Sequence, residues 1–404
     1  MAEIKTFIER RMHSTLRNHL KKREITVITG MRRVGKTTLL TKLLEETGSS
    51  NKVYFDLEKI SNREVFEEKN YDNVVLYLER EHQLNFRERV YIALDEIQLC
   101  PQLPSVLKYL YDHYDIKFIV TGSSSFYIKN LFTESLAGRK TIFEIFPLDF
   151  NEFLDFKGVA HASGQDFLDI RITGVVYERL KQYYEEFTLF GGFPEVVMAE
   201  TVEDKRRKLL DIINSYISID IASVHDFADN RETYVLMKML AIRTGSRLEY
   251  SKLSKLTGIP RKDVHDYIDF FEETYLIHRV PVYTHNIDRE IVKAKKLYWS
   301  DTGLANILAD IDGGTQFENT VFNQLKQFGG VSYYALKNGK ELDFIYDLGY
   351  AGKYIAIEAK ETPTPEDLRD MKKIATVAGI DSCLLVGRRM SPNFSDYLWG
   401  GDIR

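Results

Sequence analysis

The run Gly30-Met-Arg-Arg-Val-Gly35-Lys36-Thr37 sets two glycines, a lysine and a hydroxyl in the G-x-x-x-x-G-K-[ST] pattern. Glycines let a backbone wrap closely enough for its N–H groups to face phosphate oxygens. A short apolar run, Ile25 to Thr29, precedes the loop, and a helical stretch, Thr38 to Leu44, follows it. The N-terminus of that helix adds a dipole favourable to anions. Lys36 would reach the β- and γ-phosphates of ATP, and the Thr37 hydroxyl would coordinate Mg²⁺. The expected ATP-binding residues are Gly30, Arg32, Arg33, Val34, Gly35, Lys36, Thr37 and Thr38. A chance glycine-rich turn is the competing reading, and the agreement of strand, spacing and helix argues against it. Arg32 and Arg33 would touch either phosphate or a neighbouring subunit, and the sequence leaves that choice open.

Val90-Tyr-Ile-Ala-Leu-Asp95-Glu96 places two acids at the end of a strand-like run, 59 residues after Lys36. Asp95 would hold Mg²⁺ through water, and Glu96 would orient and deprotonate the attacking water. Alone, such a pair would as often cap a strand in solvent; after a phosphate loop it reads as catalytic. Phe118 to Ser123 brings further polar side chains to the end of another strand. Thr121 or Ser123 would sense the γ-phosphate there, or simply turn a strand into a loop.

A second acidic set lies near the C-terminus: Glu318 on a helical stretch, Asp343 in Glu341-Leu-Asp-Phe-Ile345, and Glu358-Ala-Lys360. Strand alternation puts Glu358 and Lys360 on one face, and Asp343 would arrive from the adjacent strand of a hairpin. Two or three converging carboxylates and a lysine can bind Mg²⁺ and activate water against a phosphodiester.

The elements that must hold these groups change character along the chain. Strand-like runs at Lys52–Asp56, Val90–Leu94, Lys117–Thr121 and Thr141–Phe146 alternate with helical patterns, which implies a parallel sheet covered on both faces. Lys52–Asp56 lies in sequence between the phosphate-loop strand and the acidic strand. The chain therefore has room for a strand between the two, as in P-loop enzymes with a catalytic glutamate. Residues 1–24 read as a charged helix. The expected fold class is α/β, in four parts: a P-loop parallel-sheet core over 1–150, a helical lid over 151–244, a winged helix over 245–299, and a C-terminal α/β domain over 300–404. The winged-helix outline comes from helices at Tyr250–Leu256 and Arg261–Leu276 around Thr257-Gly-Ile-Pro260, followed by β-like runs at Ile277–Tyr283 and Lys296–Trp299. Arg261, Lys262 and His265 would face a DNA groove, but Asp263, Asp266, Asp269, Glu272 and Glu273 would repel phosphate on the same face. The basic runs Lys205–Lys208 and Lys293–Lys296 are either solvated faces or phosphate tracks.

Composition bounds these readings. The 404 residues carry 55 Lys and Arg against 60 Asp and Glu, a net charge of -5, so nucleic-acid contact would need local patches. Cys100 and Cys383 are too few for a disulfide scaffold, which points to a reducing compartment. The start lacks an apolar signal core, and no stretch approaches the ~18 apolar residues of a spanning helix. The expectation is a cytoplasmic protein with no membrane partner.

The segments Gly30-Met-Arg-Arg-Val-Gly-Lys-Thr-Thr, Leu94-Asp-Glu-Ile-Gln98, Val120-Thr-Gly-Ser-Ser124, Leu136-Ala-Gly-Arg139, Pro147-Leu and Gly191-Gly-Phe-Pro194 together resemble a prokaryotic AAA+ (ASCE) ATPase family with a C-terminal domain of unknown function. The resemblance spans essentially the whole chain. It implies ATP and Mg²⁺ as ligands and a homo-oligomer with sites shared between subunits. It also implies a catalytic arginine between the sensor strand and the last core strand, where Arg139 stands, reaching a neighbour's γ-phosphate. A surface arginine is the alternative. The C-terminal set resembles the restriction-endonuclease-like fold of PD-(D/E)XK type. Glu318 matches its helical acid, Asp343 its central aspartate and Glu358-Ala-Lys360 its E-x-K, although no proline precedes the aspartate.

Three functions remain open at this stage. The first is an ATP-driven machine that acts on DNA through its wing and nuclease-like elements. The second is a nucleotide-dependent signalling or defence switch whose C-terminal domain only recognises a partner. The third is a Mg²⁺-dependent nuclease gated by its ATPase.

Overall fold

The computed structural model describes residues 7–123, 136, 138–162, 173–222, 230–284, 293–349 and 352–403. Ser124 and Ala137 of the quoted segments lie outside them. The chain forms two compact units, Met1–Phe146 with Glu273–Tyr275, and Pro147–Glu272 with Leu276–Arg404.

The first unit is built on five strands, β1 (Ile25–Thr29), β2 (Lys52–Asp56), β3 (Val90–Asp95), β4 (Ile116–Gly122) and β5 (Lys140–Glu144). Their spatial order is β2-β3-β4-β1-β5, and every pairing is parallel. One expectation is corrected here. The strand between the phosphate-loop strand β1 and the acidic strand β3 is β4; β2 lies at the sheet edge. The chain leaves β1 for the far edge and then returns inward through β3 and β4, so β1 and β2, consecutive in sequence, are not neighbours in the sheet. The side chains carry the signal. β1 and β4 are buried at every position, as strands covered on both faces must be. β2, with Lys52, Tyr54 and Asp56 reaching outward, alternates as an edge strand does.

The N-terminal helix is also shorter than its charge pattern implies, covering only His13–His19. Helices Lys36–Glu46 (α2) and Leu103–His113 bury Leu39, Leu40 and Leu43, and Val106, Leu107 and Leu110. Cys100 and Cys383 are both free.

The second unit opens with helices at Phe150–Phe156, Gly174–Phe190, Val202–Ser215 and Asn230–Ala241. Asp149 and Glu152 close a reciprocal capping box at the first of these. Helices Tyr250–Thr257 and Arg261–Glu273 follow, parted at Gly258, whose φ of 80° ends the earlier helix in a left-handed cap. β6 (Ile277–Val280) and β7 (Lys296–Trp299) pair antiparallel. The last portion runs helix Gly313–Lys326, β8 (Val331–Ala335), β9 (Glu341–Asp347), β10 (Tyr354–Lys360), helix Pro365–Ala378, β11 (Ser382–Gly387) and β12 (Leu398–Trp399). Its sheet is mixed, in the order β12-β11-β10-β9-β8. One hydrophobic core takes residues from three stretches of this unit, 148–197, 280–298 and 317–403, among them Phe150, Tyr184, Tyr298, Phe344 and Trp399. Segments that the sequence pattern separates into lid, wing and C-terminal domain therefore share their buried apolar surface. No described helix is long and apolar enough to cross a membrane.

Candidate functional site

The phosphate loop leaves the end of β1 and runs into α2. Its backbone is unusual at three points: Gly30, Arg33 and Gly35 have φ of 149°, 65° and 97°. At Gly30 a side chain is excluded twice over, because a Cβ would lie 2.1 Å from the Ile145 carbonyl oxygen. Arg10 braces the loop from outside. Its guanidinium donates to the Val34 carbonyl at 2.7 Å and to the Phe146 carbonyl at 2.9 Å. The first turn of α2 carries no acid, so its positive end is not compensated within the helix. Lys36 is buried, and its ammonium donates to the Gly30 and Met31 carbonyls at 2.9 and 3.0 Å.

The two acids at the end of β3 meet this loop. The Thr37 hydroxyl donates to Asp95 Oδ2 at 2.8 Å, and the Tyr54 hydroxyl donates to the same oxygen at 3.1 Å. Burial, and next the Asp95 charge, push the Tyr54 hydroxyl well above its ordinary pKa, so it stays a donor. Thr121 donates to the other Asp95 oxygen and accepts the Glu96 N–H at 3.2 Å. Glu96 is held in a left-handed conformation, φ 56° and ψ 51°. Its carboxylate accepts from the Gln98 amide, which also donates to Ser123 Oγ at 2.9 Å. Thr37, Asp95, Glu96 and Ser123 are thus brought into one linked cluster at the end of the sheet. The Thr37 hydroxyl and Asp95 carboxylate are hard oxygen donors side by side, the donor type that Mg²⁺ takes, so the residues present fit that ion.

Arg139 is not brought there. Its carbonyl accepts from Ile25 N–H, at the start of β1, whereas the phosphate loop leaves the end of that strand. A five-residue strand puts roughly 13 Å between those ends. The Arg139 guanidinium forms a two-pronged pair with Asp112, at 2.9 and 3.1 Å. The pair, led by its hydrogen bonds, lowers the Asp112 pKa and raises that of Arg139.

The C-terminal acids do converge, but with cations among them. Asp343 on β9 accepts the Ala359 N–H at 3.0 Å, and Glu358 Oε2 accepts the Asp343 N–H at 3.4 Å. Lys360 donates to Glu358 at 2.8 Å. Glu318 accepts the Tyr298 hydroxyl at 2.6 Å, and its carboxylate lies 3.5 Å from the Lys296 ammonium. Burial, then the nearby Asp343 charge, push Glu318 up to about 7 and Glu358 up to about 8. Lys296 is turned fully inward, its side chain 2% exposed, and lies 2.8 Å from Glu341. Arg247 holds the other Glu341 oxygen at 2.9 Å. Burial works against the Lys296 charge, but Glu318, Asp343 and Glu341 outweigh it and raise its pKa. Among the described residues, no three acidic, histidine or cysteine side chains are grouped so as to hold a metal ion.

Within the basic run Lys205–Lys208, three of the four side chains meet carboxylates. Lys205 is buried against Glu186 at 3.3 Å, Arg207 pairs with Asp204 and Lys208 with Glu195. On helix Arg261–Glu273 the exposed face carries Arg261 and Lys262 together with Asp263, Asp266 and Asp269. His265 stacks on Tyr250, with ring centres 3.6 Å apart.

Sequence reasoning passes over Arg10, Tyr54, Gln98 and Lys296. Gln98 stands in the Leu94–Gln98 segment, and its spacing from Glu96 was the available signal. Arg10 and Tyr54 reach the site only through tertiary folding, and nothing local marks them. Lys296 sits in a basic run that looks solvated.

A model of an AAA domain (AAA_14) matches residues 22–154, and two domains of unknown function, DUF8612 and DUF4143, match residues 181–315 and 313–396. The first unit thus carries an AAA-type P-loop domain. An uncharacterized protein of Methanocaldococcus jannaschii is 27% identical over 80% of this chain and 72% of its own length. An uncharacterized protein of Haemophilus influenzae is 27% identical over 80% of this chain and 79% of its own. Among solved structures, the Aeropyrum pernix ORC1 protein in complex with DNA aligns at 13% identity and a TM-score of 0.34, covering 73% of this chain and 90% of that one. The Thermotoga maritima RuvB Holliday junction branch migration motor aligns at 15% identity and a TM-score of 0.33, covering 68% and 91%. The assignment rests on the family model, the strand order and the loop geometry.

Proposed function

We propose that the chain hydrolyses ATP in the presence of Mg²⁺, with the phosphate loop and the end of β3 as its active site. The observation that carries this reading is the Thr37–Asp95 hydrogen bond, which joins the loop to the acidic strand, with Glu96 the next residue along. The loop N–H groups and the N-terminus of α2 bind the phosphates. Lys36 exchanges its two carbonyl partners for phosphate oxygens and stabilises the charge that moves to them in the transition state. Thr37 and Asp95 hold the magnesium, which when bound neutralises charge on the β- and γ-phosphate oxygens. Glu96 orients a water and takes its proton as the water attacks phosphorus. Ser123, linked through Gln98, senses the γ-phosphate. Arg139 lies far from the loop of its own chain, which supports a role at a neighbour's site in a homo-oligomer. Lys36→Ala should lower ATP affinity by about 100-fold by calorimetry, in line with the loss of a charged phosphate contact. Unchanged affinity would remove the assignment.

A second choice concerns what hydrolysis drives. The mixed charge of helix Arg261–Glu273 and the largely paired run Lys205–Lys208 favour a nucleotide-dependent switch, in which the second unit recognises a protein partner, over a machine that tracks DNA. Under this reading ATP turnover is unchanged by single-stranded or branched DNA. Salt-sensitive stimulation of several-fold would restore the DNA-acting reading.

A further inference from the structure

The nuclease-like resemblance of the C-terminal sheet implies a divalent metal among Glu318, Asp343 and Glu358, and the residues present do not fit one. A two-metal or one-metal phosphodiesterase site needs ionised carboxylates whose lone pairs converge on an open position. Here several of those lone pairs are already engaged. The Lys296 ammonium, delivered from the start of β7, lies 2.8 Å from Glu341 and 3.5 Å from Glu318, with its side chain 2% exposed. Tyr298, two residues along the same strand, donates to Glu318 at 2.6 Å. Lys360 is spent on Glu358 at 2.8 Å, and Asp343 accepts a main-chain N–H at 3.0 Å. Arg247 closes the set from the other side of Glu341. A metal entering this cluster would have to share carboxylates with a buried ammonium, which repels it.

We infer that Lys296, paired with Glu318 and Glu341, is the resident cation of this cluster, and that the second unit does not cleave phosphodiesters through these carboxylates. The inference deepens the switch reading of the second unit and is independent of ATP hydrolysis. Lys296 belongs with the cluster as a built part rather than a stray surface charge. A lysine buried to this degree keeps its charge where carboxylates compensate it, and three of them do. The exchange works both ways: the lysine closes the acidic cluster to metal, and the cluster ties β7 to the helix and hairpin of the last portion.

The test is a terbium titration of the full chain, without nucleotide, read by emission excited through tyrosine. Tyr298, in direct contact with Glu318, is the sensitiser at the site. The Asp95→Asn protein is used throughout, so that ion binding beside the phosphate loop, where Tyr54 would also sensitise emission, does not enter and the failure of the ATP assignment would leave the result untouched. The expected outcome is that this protein and its Asp343→Asn derivative give the same emission, with no saturable component that depends on Asp343. Lys296→Met in the same background should gain such a component, tightening terbium binding at least tenfold. A saturable signal in the lysine-containing protein that disappears with Asp343→Asn would overturn the inference. So would a Lys296→Met protein with an unaltered circular dichroism spectrum and no gain. If Lys296→Met does not fold, the Asp343→Asn comparison decides, together with incubation of the unaltered chain with linear and circular DNA in Mg²⁺ or Mn²⁺. Cleavage lost on Asp343→Asn sinks the inference; indistinguishable DNA in the two lanes supports it.

Discussion

Asp95 ends β3 in the first unit, and Glu358 lies near the end of β10 in the second. Both are acids at the C-terminal end of a central strand, and both are screened from solvent. Their partners differ in kind. Asp95 is met by three hydroxyls, from Thr37, Tyr54 and Thr121, which are neutral donors and leave its charge uncompensated. Glu358 is met by the Lys360 ammonium, and its neighbours Glu318 and Glu341 by Lys296. The first arrangement leaves negative charge for an arriving cation to balance; the second supplies the cation from the chain. Carboxylates at strand ends are therefore an incomplete signature of metal chemistry, and the groups that answer them decide.

The largest expected effect separates the two sites directly. Glu96→Gln should keep ATP binding and lose kcat by about 100- to 1,000-fold, since it removes the base but preserves the shape. Glu358→Gln should leave ATP turnover within about twofold, because its partners Lys360 and Asp343 belong to the second unit and the phosphate loop to the first. Steady-state phosphate release measures both. Equal losses in the two variants would break the contrast. Next in size is Gln98→Ala. Gln98 holds Glu96 and Ser123 together without touching phosphate, so its loss should lower kcat by about 10-fold and leave KM near its original value. A change confined to KM would make Gln98 a binding group instead. Arg139→Ala should lower turnover by a similar factor if it serves a neighbour's site. Mixing it with Glu96→Gln protein should then recover part of the activity, because each chain supplies what the other lacks. No recovery at any ratio would leave Arg139 as the partner of Asp112 alone.

How much of this was legible beforehand follows from the range of each interaction. Phosphate loop, acidic strand and helix-turn-helix are written in consecutive residues, because backbone wrapping, strand ends and caps are set locally. The order of strands in the sheet was not. The position of Lys52–Asp56 depends on which crossover the chain takes, and only the exposed alternation of Lys52, Tyr54 and Asp56 hinted at an edge. The C-terminal acids were found by their order along the chain. What surrounds them was not, because Lys296 comes from a strand that the pattern assigned to a different domain. Arg10 shows the same limit. A buried arginine that braces a loop through two carbonyls leaves no trace in its own neighbourhood.

The smallest effects carry the comparison from sites to cores. Each unit holds a basic side chain whose pKa its surroundings lower strongly: Lys117 on β4 in the first, His278 on β6 in the second. Burial, with Arg89 next, lowers the Lys117 ammonium to about 7, although it donates to the Glu24 carbonyl and lies 3.3 Å from His19 Nδ1. Burial, with Lys326 next, lowers His278 to about 3. In both cases the folded chain binds fewer protons than the unfolded chain between the lowered value and the ordinary one. Stability therefore rises with pH across that window and falls as pH drops through it. The windows do not overlap: 7 to 10.5 for Lys117 and 3 to 6.5 for His278. Lys117→Met should flatten the dependence above neutrality, and His278→Gln should flatten the acid arm. Each change corresponds to a shift of a few degrees in Tm, from a difference on the order of 1–2 kcal/mol. Calorimetric scans from pH 4 to 10 would show both. A variant that moves the whole curve without changing its slope would mean that the side chain acts through packing, and that its charge state is the same in both forms of the chain.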